Sequence, residues 1–571
     1  MKVRLSLIII ISLLVTCIFN LGSSALSAQD REIIIVGEDN QIFDVKASGW
    51  EIPLTVLAYG KGAKIGEIVT FSIDGKNVFE TIESRGAIPV HQLENYSHWS
   101  DLKAWTKLKT QSTSFASLNI SPNEASMFET LTAKVRDIQR SRADIRPTYL
   151  TVRMDSLPFN PKAETSYSIK LGVQVGGSVV TWEGTVLVLD IPIIQTNPVW
   201  VPAQLHIHSN FSDGTKSPKE LAELMFNKGY VVGYITDETD GGNDTEPAIP
   251  ATTYSGATWN VYQQGVRDYT ANIAMFPGSE IAGSTVNKGF GNHKGHALAY
   301  GIGSFTGSNS FETTGLRYRW FLPQDLLNNI NSNKSGAHST IAHPTNIFYP
   351  WSEWALSVRY HGMELMSGLQ TSFAPQSSPV VRWRSELTRH LPGVFNGLAF
   401  PSARTGSDYS GVIGSPGINY YTFIGLDSAP PWSNLRSLSQ TVVDTALRKG
   451  RTIASRLGGV AAFTIKDSSG TDRQIGDYYS QTANTQLSSH IIVQPTISGT
   501  YRIRVVENDF SRTVYDQIHF LSGGVASQFD FNFSFDPTTT RGNFYYHLIV
   551  EDLSVSGGDY IYTSPIFIKS I

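Results

Sequence analysis

The chain has 571 residues, more than a single hydrophobic core usually serves, so about three domains are expected. Its composition is that of a folded protein, with 41% apolar residues, 16% charged residues and a formal net charge of −4. This balance provides no basic surface of the kind that binds nucleic acid, and no nucleic-acid partner is expected.

The first 28 residues have the pattern of a secretion signal. Lys2 and Arg4 precede an apolar run over residues 5–19, and small residues at 25–28 offer a cleavage site. The alternative is a membrane anchor, but the run is shorter than the roughly 20 residues of a spanning helix. We therefore expect a secreted or extracytoplasmic protein, periplasmic or extracellular, with no membrane span after cleavage.

The only cysteine, Cys17, lies inside this segment. A lipoprotein processing site at LVTC is an alternative to signal cleavage, but Thr16 fits that site poorly. After cleavage the chain would contain no thiol. Cysteine nucleophiles, disulfides and cysteine-rich zinc sites are then excluded.

Residues 29–197 contain short runs in which apolar and polar residues alternate. Turn formers separate these runs, as in SIDGKN, where the Asp-Gly pair indicates a tight turn. The pattern predicts an N-terminal β-sandwich domain with one helical insertion over residues 124–142. No group of residues in this region indicates catalysis.

Residues 198–457 have a different pattern, because strand-like runs alternate with helical ones as they do in α/β domains. The first helix is predicted to begin after Ser217. This serine supplies an N-cap, Pro218 occupies the first helical position, and Glu220 completes a capping box. The alternation stops near residue 458, and residues 458–571 predict a C-terminal β-sandwich domain.

Side chains that can bind metal recur where the strand-like runs of residues 198–457 end. In LHIHSNFSDG, His206 and His208 would point to the same face of a strand, although two surface histidines would fit the pair equally well. The others are Asp237 and Glu238 in ITDE, Glu280 in PGSE, His296 in GHALAYG, His343 in IAHP and Asp408 in TGSD. Because the carboxyl ends of strands in α/β domains converge, these side chains are expected to meet. Nitrogen and oxygen ligands without sulfur suit zinc, manganese or iron.

The ordered set HIHSNFSDG, ITDE, PGSE, GHALAYG, IAHP and GSD resembles the PHP superfamily, named for polymerase and histidinol phosphatase domains. The resemblance covers about residues 200–456. The C-terminal sequence YTSPIFI also resembles the secreted, carbaryl-hydrolase-like (CehA/McbA) branch. The resemblance implies a multidomain protein in which a distorted α/β (β/α)7 barrel, flanked by N-terminal and C-terminal β-sandwich domains, holds metals at the carboxyl ends of its strands.

The resemblance further implies two divalent metal ions, zinc, manganese or iron, that share one ligand. The implied ligands are His206, His208, Glu280 and Asp408 for the first ion, and Glu280, His296 and His343 for the second. Glu280 would bridge the two ions. A water or hydroxide between two such ions is a ready nucleophile at neutral pH.

Two positions depart from the family pattern. Glu238 stands where the family usually has the histidine of TDH, and Ser410 stands where a Ser-Asp-X-His run would have its histidine. Both missing histidines belong to the family's third metal position. We therefore predict two metals rather than three, with Asp213 and Glu238 as the residues available to a weak third ion.

Several other residues have two interpretations each. Asp237 is predicted either to orient a ligand histidine or to cap a strand end. His293 is either a loop residue or a proton donor to the leaving group. Arg404 either makes a structural pair or binds a substrate oxyanion. Glu364 is predicted to support a ligand or the fold, and Trp351 in FYPW either lines an apolar substrate pocket or packs in the interior.

The leading hypothesis is a secreted metal-dependent hydrolase that acts on a small-molecule ester. Attack by a metal-activated hydroxide on a phosphoester or on a carboxylic or carbamate ester would let the metals neutralise the developing oxyanion. The alternative is a catalytically inactive PHP-fold protein that contacts a cell surface or a glycan through its β domains, and the missing histidines motivate it. Substitution of His206 and Glu280 would abolish turnover in the first case and spare binding in the second.

Overall fold

A computed structural model describes the chain in segments that are separated by gaps. The described residues are 32–37, 41–47, 50–59, 68–77, 90–92, 146–154, 161–175, 178–209, 211–212, 214, 216–237, 259–284, 293–303, 323–345, 351, 354–367, 379–409, 419–508, 512–536, 542–554 and 560–571. The predicted signal peptide (1–28) and the predicted helical insertion (124–142) lie outside them. Across the described residues, no helix is both long and apolar enough to cross a membrane.

The chain divides into two compact units. The first comprises Met1–Leu189 with Tyr409–Ile418, and the second comprises Asp190–Asp408 with Asn419–Ile571. The second unit therefore contains both the predicted α/β region and the predicted C-terminal β region. The domain boundaries at 197/198 and 457/458 stay predictions.

The first unit contains two β-sheets in its described part. Its strands are β1 (Glu32–Gly37), β2 (Gln41–Asp44), β3 (Trp50–Tyr59), β4 (Ile68–Ile73), β5 (Lys76–Asn77), β6 (Val90–Gln92), β7 (Arg146–Met154), β8 (Thr165–Val175) and β9 (Ser178–Leu189). They pair in the orders β1-β3-β7-β6 and β2-β9-β8-β4-β5. In β8, the buried side chains of Tyr167, Ile169 and Leu171 alternate with exposed ones, which is the period-two pattern of a strand with one buried face.

The α/β region of the second unit alternates strands with helices. Its elements are β10 (Ile194–Gln195), β11 (Val199–Gln204), α1 (Pro218–Asn227), β12 (Val232–Ile235), α2 (Trp259–Arg267), β13 (Ala274–Pro277), β14 (Ser279–Ser284), β15 (His293–Tyr300), α3 (Pro323–Asn333), β16 (His338–Ile341), β17 (Gly362–Ser367), α4 (Pro379–Val394), β18 (Ser402–Gly406), β19 (Tyr420–Leu426), α5 (Gln440–Arg448) and β20 (Thr452–Arg456). Two 3-10 helices cover Trp354–Leu356 and Trp432–Ser437. This alternation confirms the prediction of an α/β region.

The remaining strands belong to the C-terminal part of the second unit. They are β21 (Val460–Lys466), β22 (Asp472–Gln474), β23 (Tyr478–Gln481), β24 (Thr485–Gln494), β25 (Gly499–Glu507), β26 (Arg512–Leu521), β27 (Ser527–Phe535), β28 (Asn543–Asp552), β29 (Tyr560–Thr563) and β30 (Ile566–Ser570). One twelve-stranded sheet has the order β13-β12-β11-β19-β20-β29-β28-β25-β26, with β10 on β11, β30 on β28 and β23 on β30. Two smaller sheets have the orders β14-β15-β16-β17-β18 and β22-β21-β24-β27. Because β20 pairs with β29, C-terminal strands continue a sheet of the α/β region.

The start of α1 follows the prediction from sequence. The Ser217 side chain accepts a hydrogen bond from Glu220 N, and the Glu220 carboxylate accepts one from Ser217 N at 2.8 Å, which is a complete capping box. Pro218 occupies the first turn, where its missing N–H costs nothing. The helix buries Leu221 and Met225 against the sheet side of the domain.

The hydrophobic core of the α/β region lies between β11, β12, β19 and α5. Its completely buried members include Val201, Val232, Ile424, Val443 and Leu447. This core leaves the polar residues that follow β11 at the edge of the sheet, where they can meet residues from other strands.

The directions of the strands place one edge of the sheet that contains β11 next to one edge of the sheet formed by β14 to β18. β11, β12 and β13 run parallel, as do β16, β17 and β18, whereas β15 runs antiparallel to β14 and β16. The beginning of β15 therefore lies at the edge where the other strands end. A backbone hydrogen bond of 3.0 Å from Asp408 N to His206 O joins the segment after β18 to the segment after β11. These strands are divided between two sheets, and the closed (β/α)7 barrel stays a prediction.

Candidate metal centre

Four buried side chains meet near the last residues of β11 and β18 and the first residues of β14. His206 and His208 follow β11, Glu280 lies at the start of β14, and Asp408 follows β18. The Nε2 atoms of the two histidines are 3.1 Å apart. Glu280 Oε2 lies 3.2 and 3.0 Å from these nitrogens, and Asp408 Oδ1 lies 3.4 Å from both. We call these four residues the first cluster.

A second cluster shares Glu280 with the first. Glu280 Oε1 is 2.8 Å from His296 Nδ1 and 3.0 Å from His343 Nε2. Within each cluster, one ligand atom from every residue lies within 4.8 Å of the others. The structure thus brings together all six residues predicted as metal ligands, and their role in binding metal stays a prediction.

Glu280 joins the clusters through its two oxygens. Oε2 contacts His206 and His208, whereas Oε1 contacts His296 and His343. Its carboxylate is 2% exposed, so water does not replace these contacts. A carboxylate that offers one oxygen to each of two neighbouring ligand groups has the geometry required to bridge two cations.

The donor set fits divalent cations. The Nδ1 atom of His206 is 3.0 Å from Glu364 Oε1, and because a carboxylate only accepts, Nδ1–H is the donor. This bond fixes the imidazole so that Nε2 faces Glu280 and Asp408. Metal-bound histidines commonly donate their other N–H to a carboxylate in this way. Nitrogen and oxygen donors without sulfur suit zinc, manganese or iron.

The electrostatics of the two clusters favour positive charge. Burial lowers the pKa of His206, but the carboxylates of Glu280, Asp408 and Glu364 outweigh it and keep that pKa well above its ordinary value. Burial raises the pKa of Glu280, but His206 and His296 outweigh it and hold that pKa well below its usual range. Since a cation satisfies the same carboxylates, metal binding and protonation of His206 compete.

Two of the six residues have backbone conformations that non-glycine residues rarely adopt. His343 has a φ of +23° and Asp408 a φ of +52°. Each is held by a hydrogen bond from its own N–H, His343 to Glu364 Oε2 at 2.7 Å and Asp408 to His206 O at 3.0 Å. Backbone strain of this kind is concentrated at functional sites, where surrounding contacts maintain it.

Asp237 supports the segment that follows His208. Its completely buried carboxylate accepts hydrogen bonds from Ser209 N and Ser209 Oγ, both at 2.6 Å, and from Ser212 Oγ. Burial raises the pKa of Asp237, while the bonds from these serines oppose the rise. These contacts are those of a strand-end cap, and they also fix the backbone next to His208.

Arg404 lies in the interior, within hydrogen-bond distance of four protein oxygens. Its guanidinium is completely buried and donates to Ser402 Oγ, Thr340 Oγ1, His361 O and Leu447 O at 3.1, 2.5, 3.2 and 2.8 Å. Burial lowers the pKa of Arg404 to about 10, which still leaves it protonated at neutral pH. These contacts favour a structural role, and the oxyanion-binding role stays a prediction that the kinetics of an Arg404 variant can test.

Three predicted residues cannot be placed. His293 begins β15, but its side chain lies outside the described part of the structure, as do Asp213 and Glu238. The proton-donor role of His293 and the third-ion site stay predictions.

Glu364 in β17 is the residue whose role the sequence left open. Its two oxygens contact both clusters, Oε1 through the His206 ring and Oε2 through the His343 backbone. Gly406 in β18 permits this position, because a Cβ there would lie 1.8 Å from Glu364 Oε1. The sequence GMELM contains no signal for these contacts, which join residues far apart in the chain.

We expect Glu364→Gln to weaken metal binding about 10- to 100-fold, the usual cost of losing a partner of a ligand residue. The amide keeps the size of the side chain, but it no longer provides two charged acceptors for His206 and His343. Titration of the metal-stripped variant with Zn²⁺ measures the change. Unaltered affinity for both ions would show that Glu364 has only a packing role.

Comparison with known proteins finds similarity only to solved structures. No family model matches the chain, and no curated protein is detectably similar to it. A two-domain protein from Bacteroides vulgatus with a predicted PHP-like metal-dependent phosphoesterase matches at 14% identity and a TM-score of 0.33, over 66% of this chain and 98% of that one. A putative metal-dependent phosphoesterase from Bifidobacterium adolescentis matches at 14% identity and a TM-score of 0.23, over 38% and 91%.

An amidohydrolase from Chromobacterium violaceum with bound sulfate and no metal matches at 16% identity and a TM-score of 0.23, over 40% of this chain and 92% of that one. The chain is thus distantly similar in structure to two proteins described as predicted or putative metal-dependent phosphoesterases, one of them PHP-like, and to an amidohydrolase. At these TM-scores the matches say nothing about individual residues, so the function has to be inferred from the two clusters themselves.

Proposed function

We propose that this protein is a metal-dependent hydrolase that binds two divalent cations and cleaves ester bonds. The observation that carries the proposal is the position of Glu280, whose buried carboxylate places one oxygen in each cluster. Two bound cations would supply a water of lowered pKa as the nucleophile and would neutralise the oxyanion that develops during attack. Zinc, manganese and iron all suit this donor set.

The six candidate ligands differ slightly in exposure. His206 and His343 are at most 1% exposed, and Glu364 holds the ring of the first and the backbone of the second. Asp408 and His296 are the most exposed of the six, with 10% and 7% of their side chains accessible. We infer that a substrate approaches from the side of Asp408 and His296.

The substrate class is part of the proposal. The motif resemblance to the PHP superfamily favours phosphoesters, and the resemblance of the C-terminal sequence to the carbaryl-hydrolase-like branch adds carboxylic and carbamate esters. The signal-like first 28 residues favour a secreted protein, in which the β regions are available to contact a cell surface or a glycan.

The experiment is to purify residues 29–571, count metals by elemental analysis, and assay aryl phosphate, carboxylate and carbamate esters. We expect two metals per chain, together with turnover that a chelator abolishes and that added Zn²⁺ or Mn²⁺ restores. The ester hydrolysed fastest identifies the chemistry. Three tightly held metals would contradict the two-metal prediction. A chain with neither metal nor turnover would contradict the hydrolase and favour the binding protein.

A further inference from the structure

Trp351 contacts the neighbours in sequence of the two histidines that belong only to the second cluster. Its backbone N–H donates to Pro344 O at 3.1 Å, and Pro344 directly follows His343. On its other side it packs against Gly295, which directly precedes His296. A Cβ added to Gly295 would lie 2.7 Å from both Cα and Cε3 of Trp351, closer than real Cβ contacts come. A side chain at position 295 therefore has no room while Trp351 keeps its position.

The backbone at Gly295 adds a second constraint. Its φ is +103°, a conformation that residues with a side chain rarely adopt. One residue later, His296 O accepts a hydrogen bond of 3.0 Å from Ala342 N, next to His343. The segments that carry the two histidines are thus joined directly on one side and through Trp351 on the other.

Trp351 is itself held in one position. It is 2% exposed, and its Nε1–H donates to Ser357 Oγ at 2.9 Å. Ser357 is completely buried, and its carbonyl oxygen accepts a hydrogen bond from Arg389 of α4. These contacts hold the indole of Trp351 in place. A side chain at position 295 that clashed with it would therefore displace His296 rather than Trp351.

Within the described part of the structure, the contacts that fix the first cluster do not include Trp351 or Gly295. The His206 ring bonds to Glu364, Asp408 N bonds to His206 O, and Asp237 holds the backbone of Ser209 after His208. Of the residues in the first cluster, Glu280 alone is shared with the second.

We propose that Trp351, through its contact with Gly295, is a positioning residue for the second metal ion and leaves the first ion unaffected. It sets the distance between His296 and His343, so occupancy of the second site depends on it. The inference rests on the proposed two-metal function, because it requires that two ions bind.

The test is the metal content of Gly295→Ala in the chain 29–571. Metal-stripped proteins are titrated with Zn²⁺ by calorimetry, and bound metal is counted by elemental analysis. We expect two ions in the unsubstituted chain, and in Gly295→Ala one ion of unchanged affinity with the second weakened at least about tenfold. Trp351→Ala should behave in the same way, whereas Trp351→Phe, which keeps a ring against Gly295, should retain two ions.

Matched controls separate this effect from general damage to the fold. Gly303→Ala changes a glycine after the other end of β15, where a Cβ meets only the flexible Lys334 side chain at 3.3 Å. Trp354→Ala removes a half-buried tryptophan whose ring centroid is 6.4 Å from that of Trp351, while it leaves the Trp351 side chain itself unchanged. Both should bind two ions, and thermal melting followed by circular dichroism checks that every variant is folded.

Two results would overturn the inference while the proposed function stands. Gly295→Ala with two ions of unchanged affinity would show that Trp351 does not position the second site. Loss of both ions from a folded Gly295→Ala would show that the two sites do not depend on separate contacts. Fewer than two ions in the unsubstituted chain would instead refute the two-metal function itself.

Discussion

Replacement of Glu280 with glutamine is expected to remove both metal ions and to lower hydrolysis by more than about 100-fold. Loss of a group that only contacts a ligand costs about 10- to 100-fold in metal affinity or activity, and the shared ligand should cost more. Glutamine keeps the size of the side chain but offers one oxygen instead of two, and it lacks the negative charge that lies between four imidazoles. Elemental analysis and kcat/KM for the best ester measure the two effects.

Glu386→Gln is the matched control for this substitution. Glu386 is also a buried glutamate, but it lies in α4, where it accepts hydrogen bonds from Tyr360 and Arg389. This variant should lose stability and keep two metal ions. A Glu280→Gln variant that retained two ions with unchanged affinity would refute the bridging role of Glu280.

That most of the six candidate metal ligands meet could be predicted from sequence, because these residues lie where strands end. His206 and His208 follow β11, and His343 and Asp408 follow β16 and β18, so one rule about strand ends predicts that they meet. His296 lies near the start of β15. Because β15 is antiparallel to its neighbours, its start lies at the same edge as the ends of the other strands. The capping box of α1 was predictable for a similar reason, because its residues are three positions apart.

The contacts of the supporting residues could not be predicted, because they depend on tertiary packing. Glu364 reaches His206 only because Gly406, from the next strand, leaves room for its carboxylate. Trp351 meets Gly295 from a segment more than fifty residues away in the chain. The pairing of β20 with β29 is also long-range, and no local pattern in either strand indicates its partner.

The sequence also left open whether Arg404 is accessible. It lies four residues before Asp408, a position that allowed either a structural pair or contact with a substrate oxyanion. In a strand, however, residues that share a face also lie at different depths. Gly406, two residues nearer the strand end, approaches His206 Cβ, while Arg404 reaches Thr340 in β16 and Leu447 in α5.

Arg404→Met is therefore expected to destabilise the second unit by about 3–5 kcal/mol and to leave metal content unchanged. Removing one partner from a buried charged network leaves the other groups without compensation, which accounts for a loss of this size. Here the carbonyls of His361 and Leu447 would lose their donor, and the nearby carboxylates of Asp444 and Glu364 would lose a cation. Urea unfolding of the variant measures the change in the free energy of unfolding.

The exposed Arg436 provides the comparison, since Arg436→Met gives up a cation–π contact with Tyr269 and should change stability by no more than about 1 kcal/mol. Kinetics then separate the two interpretations of Arg404. A structural arginine predicts that Arg404→Met, assayed well below its unfolding transition, keeps kcat and KM close to those of the unsubstituted chain. An arginine that binds the substrate oxyanion predicts unchanged stability and a kcat about 100-fold lower, as for the loss of one oxyanion donor. Because the guanidinium is buried and donates to four protein oxygens, we expect the first result.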